Sequence, residues 1–339
     1  GGMLYNECMK KRNTILFIVL SVAVVMLFLL DVGTGSVGIP LGDVWRALLG
    51  SDVDPTTVKI VRDIRLVKAL VAIATGVALS VSGLLMQTLF RNPLAGPYVL
   101  GISSGASLGV AIFILGAPIL GFAANSMGTA VGIAGAAWVG SALILVVIAA
   151  VSRKIKDIMV ILILGMMFSS GVSALVQVLQ YLSNEEALKS FVIWTMGSLG
   201  DVTASQLWLL IPAVVLGLVI SIAVIKPLNL LLLGENYART MGLNVKHSRQ
   251  LIFLATTLLA GTVTAFCGPI SFVGLAVPHV ARALFREADH RVLMPGAALC
   301  GAVVLLFCDL ISKLLTLPIN TITALLGIPI VIWVVIRNK

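Results

Sequence analysis

Residues 14–31 read TILFIVLSVAVVMLFLLD, an apolar run with no charge before its last position. A membrane-spanning helix needs about 20 mostly apolar residues. In lipid the backbone must satisfy its own hydrogen bonds, which leaves helices or closed barrels. This run is long and does not alternate, so it reads as a helix. Comparable runs lie near 66–89, 97–117, 128–151, 158–182, 205–225, 248–266, 272–285, 293–316 and 320–336. The predicted fold class is all-α, a polytopic membrane protein of about ten transmembrane helices. The eighth run, Phe272 to Phe285, is short for a full crossing and also fits a re-entrant or strongly buried helix.

Composition agrees with that reading. Of the 339 residues 59% are hydrophobic and 11% charged, with mean hydropathy +1.12, whereas soluble domains carry about 25% charged residues. The longest polar segments, 32–65, 183–204 and 226–247, are too short for a separate soluble domain, so residues 1–339 form one transmembrane domain. The chain contains no G-x-x-x-x-G-K-[ST] phosphate loop, no Rossmann glycine pattern and no H-E-x-x-H helix. No nucleophile, base and metal constellation supports an enzyme. Energy for transport would come from an ion gradient or another subunit.

Lys10, Lys11 and Arg12 resemble the basic start of a signal peptide, but no small-residue cleavage site follows. Gly1-Gly2 before Met3 reads as a tag remnant. Cys8, Cys267, Cys300 and Cys308 lack metal-ligand spacing and read as packing residues.

The net charge of +9 describes topology and gives a nucleic-acid partner little support. Cytoplasmic loops are enriched in Lys and Arg. With both termini inside, Lys10, Lys11, Arg12, Arg91, Arg153, Lys154, Lys156, Lys226, Arg239, Lys246, Arg249, Arg282, Arg286, Arg291, Arg337 and Lys339 face the cytoplasm, sixteen of the 23 basic residues. Arg46, Lys59, Arg62, Arg65, Lys68, Lys189 and Lys313 remain outside.

Residues 74–105 and 255–280 each pair an Ala/Thr/Gly-rich helix with a Gly-Pro turn, Gly96-Pro97 and Gly268-Pro269. An inverted repeat of roughly 66–182 and 248–336 would produce this, and so would chance similarity of Gly-rich helices. Gly76, Gly83, Gly101, Gly105 and Gly109 suit close helix packing. Gly165, Met166, Ser169, Ser170, Gly171 and Ser173 on the fifth span hold its best small-residue stripe and are the pathway candidates.

Intramembrane charges are rare here and each needs a role. Asp309 and Lys313 stand four apart, acid before base, as an i,i+4 ion pair. The alternative for Asp309, a proton or sodium site, fits poorly because a nearby cation favours the charged carboxylate. Arg62, Arg65 and Lys68 recur at three-residue spacing and predict a basic, solvent-facing edge, either a solvated helix end or a docking point for an acidic partner. Residues 226–247 predict a cytoplasmic loop with short helical pieces: Pro227 breaks the sixth span, Leu230–Leu233 is apolar, and Gly234-Glu235-Asn236-Tyr237-Ala238-Arg239-Thr240-Met241-Gly242 follows. Such a loop either hugs the membrane or fills a partner's groove.

These residues resemble the permease subunits of ATP-binding-cassette (ABC) importers for cobalamin, haem and ferric siderophores. The resemblance covers nearly the whole chain. It rests on Ile64-Arg65-Leu66 with Gly83 and Gln87, Arg91-Asn92-Pro93-Leu94-Ala95-Gly96-Pro97, and Leu100-Gly101-Ile102-Ser103-Ser104-Gly105-Ala106. Gly234-Glu235 with Ala238-Arg239 and Gly242, Gly268-Pro269-Ile270-Ser271-Phe272-Val273-Gly274-Leu275, Pro278-His279, Arg282, Asp289-His290-Arg291 and Leu317-Pro318-Ile319 complete it.

The resemblance implies a type II ABC importer permease architecture in the plasma (inner) membrane of a prokaryote. It implies a homodimer, two cytoplasmic ATPase subunits that bind ATP and Mg, and an extracytoplasmic substrate-binding protein. Membrane lipid is the remaining partner, and no cofactor or metal is expected on this chain. Docking of the binding protein is implied for Arg65, Lys68 and Lys313, with Val67-Lys68 departing from the family's usual Pro-Arg; lysine lacks the planar fork of arginine. ATPase coupling is implied for Leu230, Gly234, Glu235, Ala238, Arg239 and Gly242. The cytoplasmic gate falls at Ile158 and Met159, which are bulkier and more apolar than is usual there. His279 and His290 lie in motifs that read as structural. The expected function is translocation of a metal chelate delivered by the binding protein; an ion-coupled secondary transporter is the alternative.

Overall fold

The computed structural model describes residues 2–50, 52–119, 121 and 129–337. Gly1, Gly128 at the start of the fourth expected span, and Lys339 lie outside the described residues. Among the described residues there is no strand, and nine helices are long and apolar enough to cross a membrane. In chain order the helices are α1 (Gly2–Gly33), α2 (Leu41–Leu49), α3 (Pro55–Leu89), α4 (Ile102–Ile114), α5 (Thr129–Ser152) and α6 (Ile158–Leu182). Then come α7 (Glu185–Thr195), α8 (Ala204–Ala223), α9 (Ile225–Leu231), α10 (Glu235–Thr240), α11 (Val245–Cys267), α12 (Val273–Phe285), α13 (His290–Leu315) and α14 (Ile319–Arg337).

The eighth expected run is α12, whose 13 residues reach only about 20 Å at 1.5 Å per residue. It packs against α3, α13 and α14 and is largely buried, as a strongly buried helix would be. The third run starts later than expected, at Ile102 instead of residue 97. Residues 91–101 turn instead: Arg91 takes φ 47°, Asn92 accepts from Leu94 N, and Gly101 at φ 82° enters α4.

Burial separates core from periphery. In α3 83% of the most apolar window is buried and in α11 72%, against 11% in α1. The core helices meet through glycine. A Cβ on Gly76 would stand 2.2 Å from the Gly301 carbonyl, and one on Gly301 would stand 2.2 Å from that of Gly76. One on Gly83 would stand 1.7 Å from the carbonyl of Gly274. Backbones therefore touch where α3 crosses α13 and α12, the packing available when lipid supplies no hydrophobic drive. Cys267, Cys300 and Cys308 are buried in this core, as their reading predicts.

Helix ends are satisfied by long side chains. Arg62 Nε donates to the Ala47 carbonyl at 2.8 Å, closing α2. Arg65 donates to the carbonyls of Val32, Gly33 and Val37, closing α1. The stretch Ile60–Leu66 is widened into a π-helical turn that aims the two guanidiniums at different helix ends. The expected solvent-facing edge is thereby corrected: Arg62 is exposed, Arg65 is only 4% exposed, and Lys68 is half-buried. Guanidinium groups lose less by satisfying C-terminal carbonyls than by staying in water beside orphaned acceptors.

Candidate functional site

At the end of the molecule where α1 finishes, four charges meet. Lys313 Nζ lies 2.8 Å from Asp31 Oδ1 and 3.3 Å from Asp309 Oδ2, and Lys68 Nζ lies 3.2 Å from Asp309 Oδ1. Asp31 and Asp309 are sealed from solvent. The i,i+4 pair read from the sequence is present, enlarged by two members from α1 and α3. Lys68 and Lys313 of this cluster, with Arg65 at the nearby end of α1, are the positions the resemblance implies for docking. All three are engaged internally, and what solvent reaches is part of Lys68 and less of Lys313. Asp31 was missed, although an acid closing the first apolar run was the available signal.

The pathway candidates on α6 split between two faces. Gly165 is buried, with room for no Cβ beside the Val99 carbonyl at 2.8 Å, and Ser169 donates to the Gly165 carbonyl. Met166, Ser170 and Ser173 are exposed. Ser173 belongs to a groove of about 350 Å³ with Ser103, Ser104 and Ser107 of α4, and with Gln177 and Gln180. The stripe thus serves packing at Gly165 and Ser169 and a polar opening at Ser173. The groove's α4 serines and two glutamines were not expected; their common i,i+3 and i,i+4 spacing carried the signal. At the foot of α6, Asp157 accepts from Met159 N and caps the helix, while Ile158 is half-buried and Met159 exposed.

At the opposite end from the four charges, α9 and α10 form the loop expected at 226–247. Gly234 at φ 106° and Gly242 at φ 88° turn the chain on either side of α10. Only glycine enters those backbone regions without strain. Ala238 is fully buried, Leu230 is half-buried, and Leu233, Tyr237 and Met241 project their apolar side chains outward. Arg239 is exposed and stands 3.6 Å from Glu235 Oε2.

Glu235, one of the positions implied for ATPase coupling, points inward. Its Oε1 receives the Arg249 guanidinium, which also donates to the carbonyls of Ile155 at 3.1 Å and Lys156 at 2.7 Å. Arg249 is 2% exposed, so the buried fork would be costly without these acceptors. It straps α10 to the two residues that precede the Asp157 cap of α6. Sequence reading counted Arg249 only as a cytoplasmic charge and missed this role.

The histidines are held within the fold. His290 Nδ1 donates to Asn229 Oδ1 at 2.8 Å, which leaves Nε2 to accept from the Thr88 hydroxyl at 2.8 Å. His279 Nε2 donates to the Pro93 carbonyl. Asp289 accepts from Arg291 N at 2.9 Å and from Asn229 Nδ2 at 2.8 Å, and these bonds hold its carboxyl below the usual range. The structural reading of both motifs therefore stands on their bonds.

A family model described as the FecCD transport family matches residues 23–337. The chain belongs to the FecCD transport family. Among FecCD-like relatives, the hemin transport system permease protein HmuU of Yersinia pestis is 36% identical over 335 residues, covering 95% of this chain and 96% of that protein. The vitamin B12 import system permease protein BtuC of Salmonella newport (strain SL254) is 35% identical over 333 residues, 97% of each chain. A solved chain from an inward-facing structure assigned to the metal-chelate type of ABC transporter superposes with TM-score 0.81 at 29% identity, covering 95% of this chain and 99% of its own. The all-helical FecCD architecture is thus that of an ABC importer permease, as the resemblance implied.

Proposed function

We propose that this chain is half of a homodimeric permease that passes a metal chelate, of the haem, cobalamin or ferric siderophore class, across the inner membrane of a prokaryote. The observation that carries the reading is the groove at Ser103, Ser107, Ser173 and Gln177. Serine and glutamine side chains on an exposed face of a spanning helix are unfavourable against acyl chains. A second copy facing the groove would enclose it as a passage lined by weak hydrogen-bonding groups, suited to releasing a large chelate instead of holding it. Full-length similarity to haemin and vitamin B12 permeases supports the substrate class.

Two ATPase subunits, which bind ATP and Mg, sit beneath α9 and α10 in this reading, with both termini of the permease cytoplasmic. Leu233, Tyr237 and Met241 offer an apolar ridge of the kind that fills a partner's groove. Movement of α10 reaches α6 through Glu235, Arg249 and the Ile155 and Lys156 carbonyls, so closing of the ATPases shifts the gate at Ile158 and Met159. The two permeases rock to alternate access. The substrate-binding protein docks on the opposite end, where Lys68 and Lys313 reach it by exchanging their internal carboxylates for acidic groups of the partner. Arg65 contributes by fixing the end of α1. Ion coupling draws little support from Asp309, whose carboxylate oxygens are engaged by Lys68 at 3.2 Å and Lys313 at 3.3 Å.

The test is purification of the tagged chain from its own cells in mild detergent, followed by reconstitution with whatever accompanies it. An ATPase subunit at near-equal stoichiometry, and chelate uptake that requires ATP, is the expected result. Recovery of the chain alone, with uptake that collapses when the ion gradient is removed, would overturn the reading.

A further inference from the structure

Beside the coupling loop, where a Cβ on Gly234 would stand 3.4 Å from Arg91 Nη1, lies a cavity of about 490 Å³ between α3, α12 and α14. Arg91, Arg282, Arg286 and Arg337 line it together with His279, and its lining contains no acid. Among the described residues none of the four guanidiniums has a carboxylate within 4.0 Å. The walls are fixed, since Arg282 donates to Gln87 Oε1 and His279 to the Pro93 carbonyl. Four like charges around one recess repel one another; Arg282 is half-buried, and Arg91, Arg286 and Arg337 are exposed, so solvent screens only part of that repulsion. An anion relieves it, and arginine's planar fork matches phosphate oxygens.

The mouth of the cavity identifies the anion's carrier. Trp333 is 46% exposed with the Arg337 guanidinium 5.1 Å above its ring, the pairing found at membrane interfaces. On the same helix Ile332 and Ile336 are exposed, and on a spanning segment such residues lie against acyl chains. A ligand that fills the cavity therefore has a negative head and an apolar body. We propose that this cavity binds the phosphodiester head group of an acidic phospholipid from the adjoining leaflet, its chains lying along α14. Basic pockets between spanning helices take such head groups generally. The site touches neither the groove nor the strap, so it can fail while the transport reading survives.

The test uses the full chain, purified from membranes containing phosphatidylglycerol and cardiolipin and examined by native mass spectrometry. Retained acidic lipid is expected, falling at least about fivefold in the double variant Arg286→Asn, Arg337→Gln as the charge-assisted bonds are lost. Asn tolerates the left-handed backbone of Arg286, φ 52°, and an unchanged melting curve would confirm that the fold is intact. A control pair elsewhere on the basic face, Arg153→Gln with Lys154→Gln, should retain the lipid. Equal retention in the pocket variant, or equal loss in the control pair, overturns the site. Binding of inorganic phosphate by delipidated protein with no lipid ever retained would make it a soluble-anion site and overturn the lipid assignment. Loss of ATPase association with lipid retained would overturn it in favour of an acidic protein partner.

Discussion

The two ends of the molecule solve the same electrostatic problem differently. At one end Asp31, Lys68, Asp309 and Lys313 neutralise one another, and all four belong to spanning helices. At the other, Glu235 takes the exposed Arg239 on one oxygen and the buried Arg249 on the other, and the Arg249 guanidinium also reaches two loop carbonyls. Lysine is a compact charge that offers no preferred plane, whereas arginine's fork can bind two directions at once. The first arrangement pins helices side by side. The second joins separate segments of chain so that displacement of one is felt by another.

The comparison breaks first at Lys313. Lys313→Met leaves Asp31 without its ammonium partner and Asp309 with Lys68 alone, and removing one member of a buried ion pair costs about 3–5 kcal/mol. Thermal unfolding in detergent should fall accordingly, and a melting curve equal to wild type would show that the cluster does not hold the helix ends. Arg249→Met should cost about 1.5–3 kcal/mol, the range for hydrogen bonds to charged groups. Its diagnostic effect is functional: ATPase subunits still co-purify while ATP-driven uptake drops, and parallel loss of both would mean the strap only supports the loop's shape.

A smaller change probes the neighbourhood of the cluster. Gly76→Ala forces α3 from α13 and strains the Lys68–Asp309 contact on the same two helices. Overpacking of this kind costs about 1–3 kcal/mol. Combined with Lys313→Met it should be more than additive, because Asp309 then depends on the Lys68 contact alone, and strict additivity in a melting series would separate crossing from cluster. The smallest effect belongs to Asp289, which caps α13 and holds Asn229. Its folded carboxyl is depressed, so its contribution is present above the ordinary carboxylate pKa of about 4 and fades as pH falls through the lower folded value. Asp289→Asn should flatten that acid limb of a stability profile, and an unaltered limb would remove Asp289 from it.

Much of this fold was legible because its signals are local. The α6 boundaries follow from hydropathy, and Gly76 and Gly83 announce close crossings before any partner is known. The loop around Gly234 and Gly242 was legible for the same reason: glycines bracketing a short polar helix need no distant information. What stayed hidden depends on pairing across the chain. Arg65 reads as a solvated charge until the carbonyls of Val32 and Gly33 are placed beside it, and Arg249 reads as one more cytoplasmic charge until Glu235 is placed against it. The groove was half visible, since Ser173 sits in a small-residue stripe, whereas Ser103 and Ser107 acquire meaning only when α4 lies against α6.

The cluster at the end of α1 also sets a schedule for biosynthesis. Asp31 leaves the ribosome 282 residues ahead of Lys313, which at about 5–20 residues per second is a wait of about 15–55 seconds. Through that interval the first helix carries an acid at the membrane boundary with its final counter-ion still unmade. The Asp31 contact is therefore completed only when α13 is synthesised. A nascent chain truncated before residue 313 should leave Asp31 open to solvent-borne carboxylate reagents that the finished protein excludes.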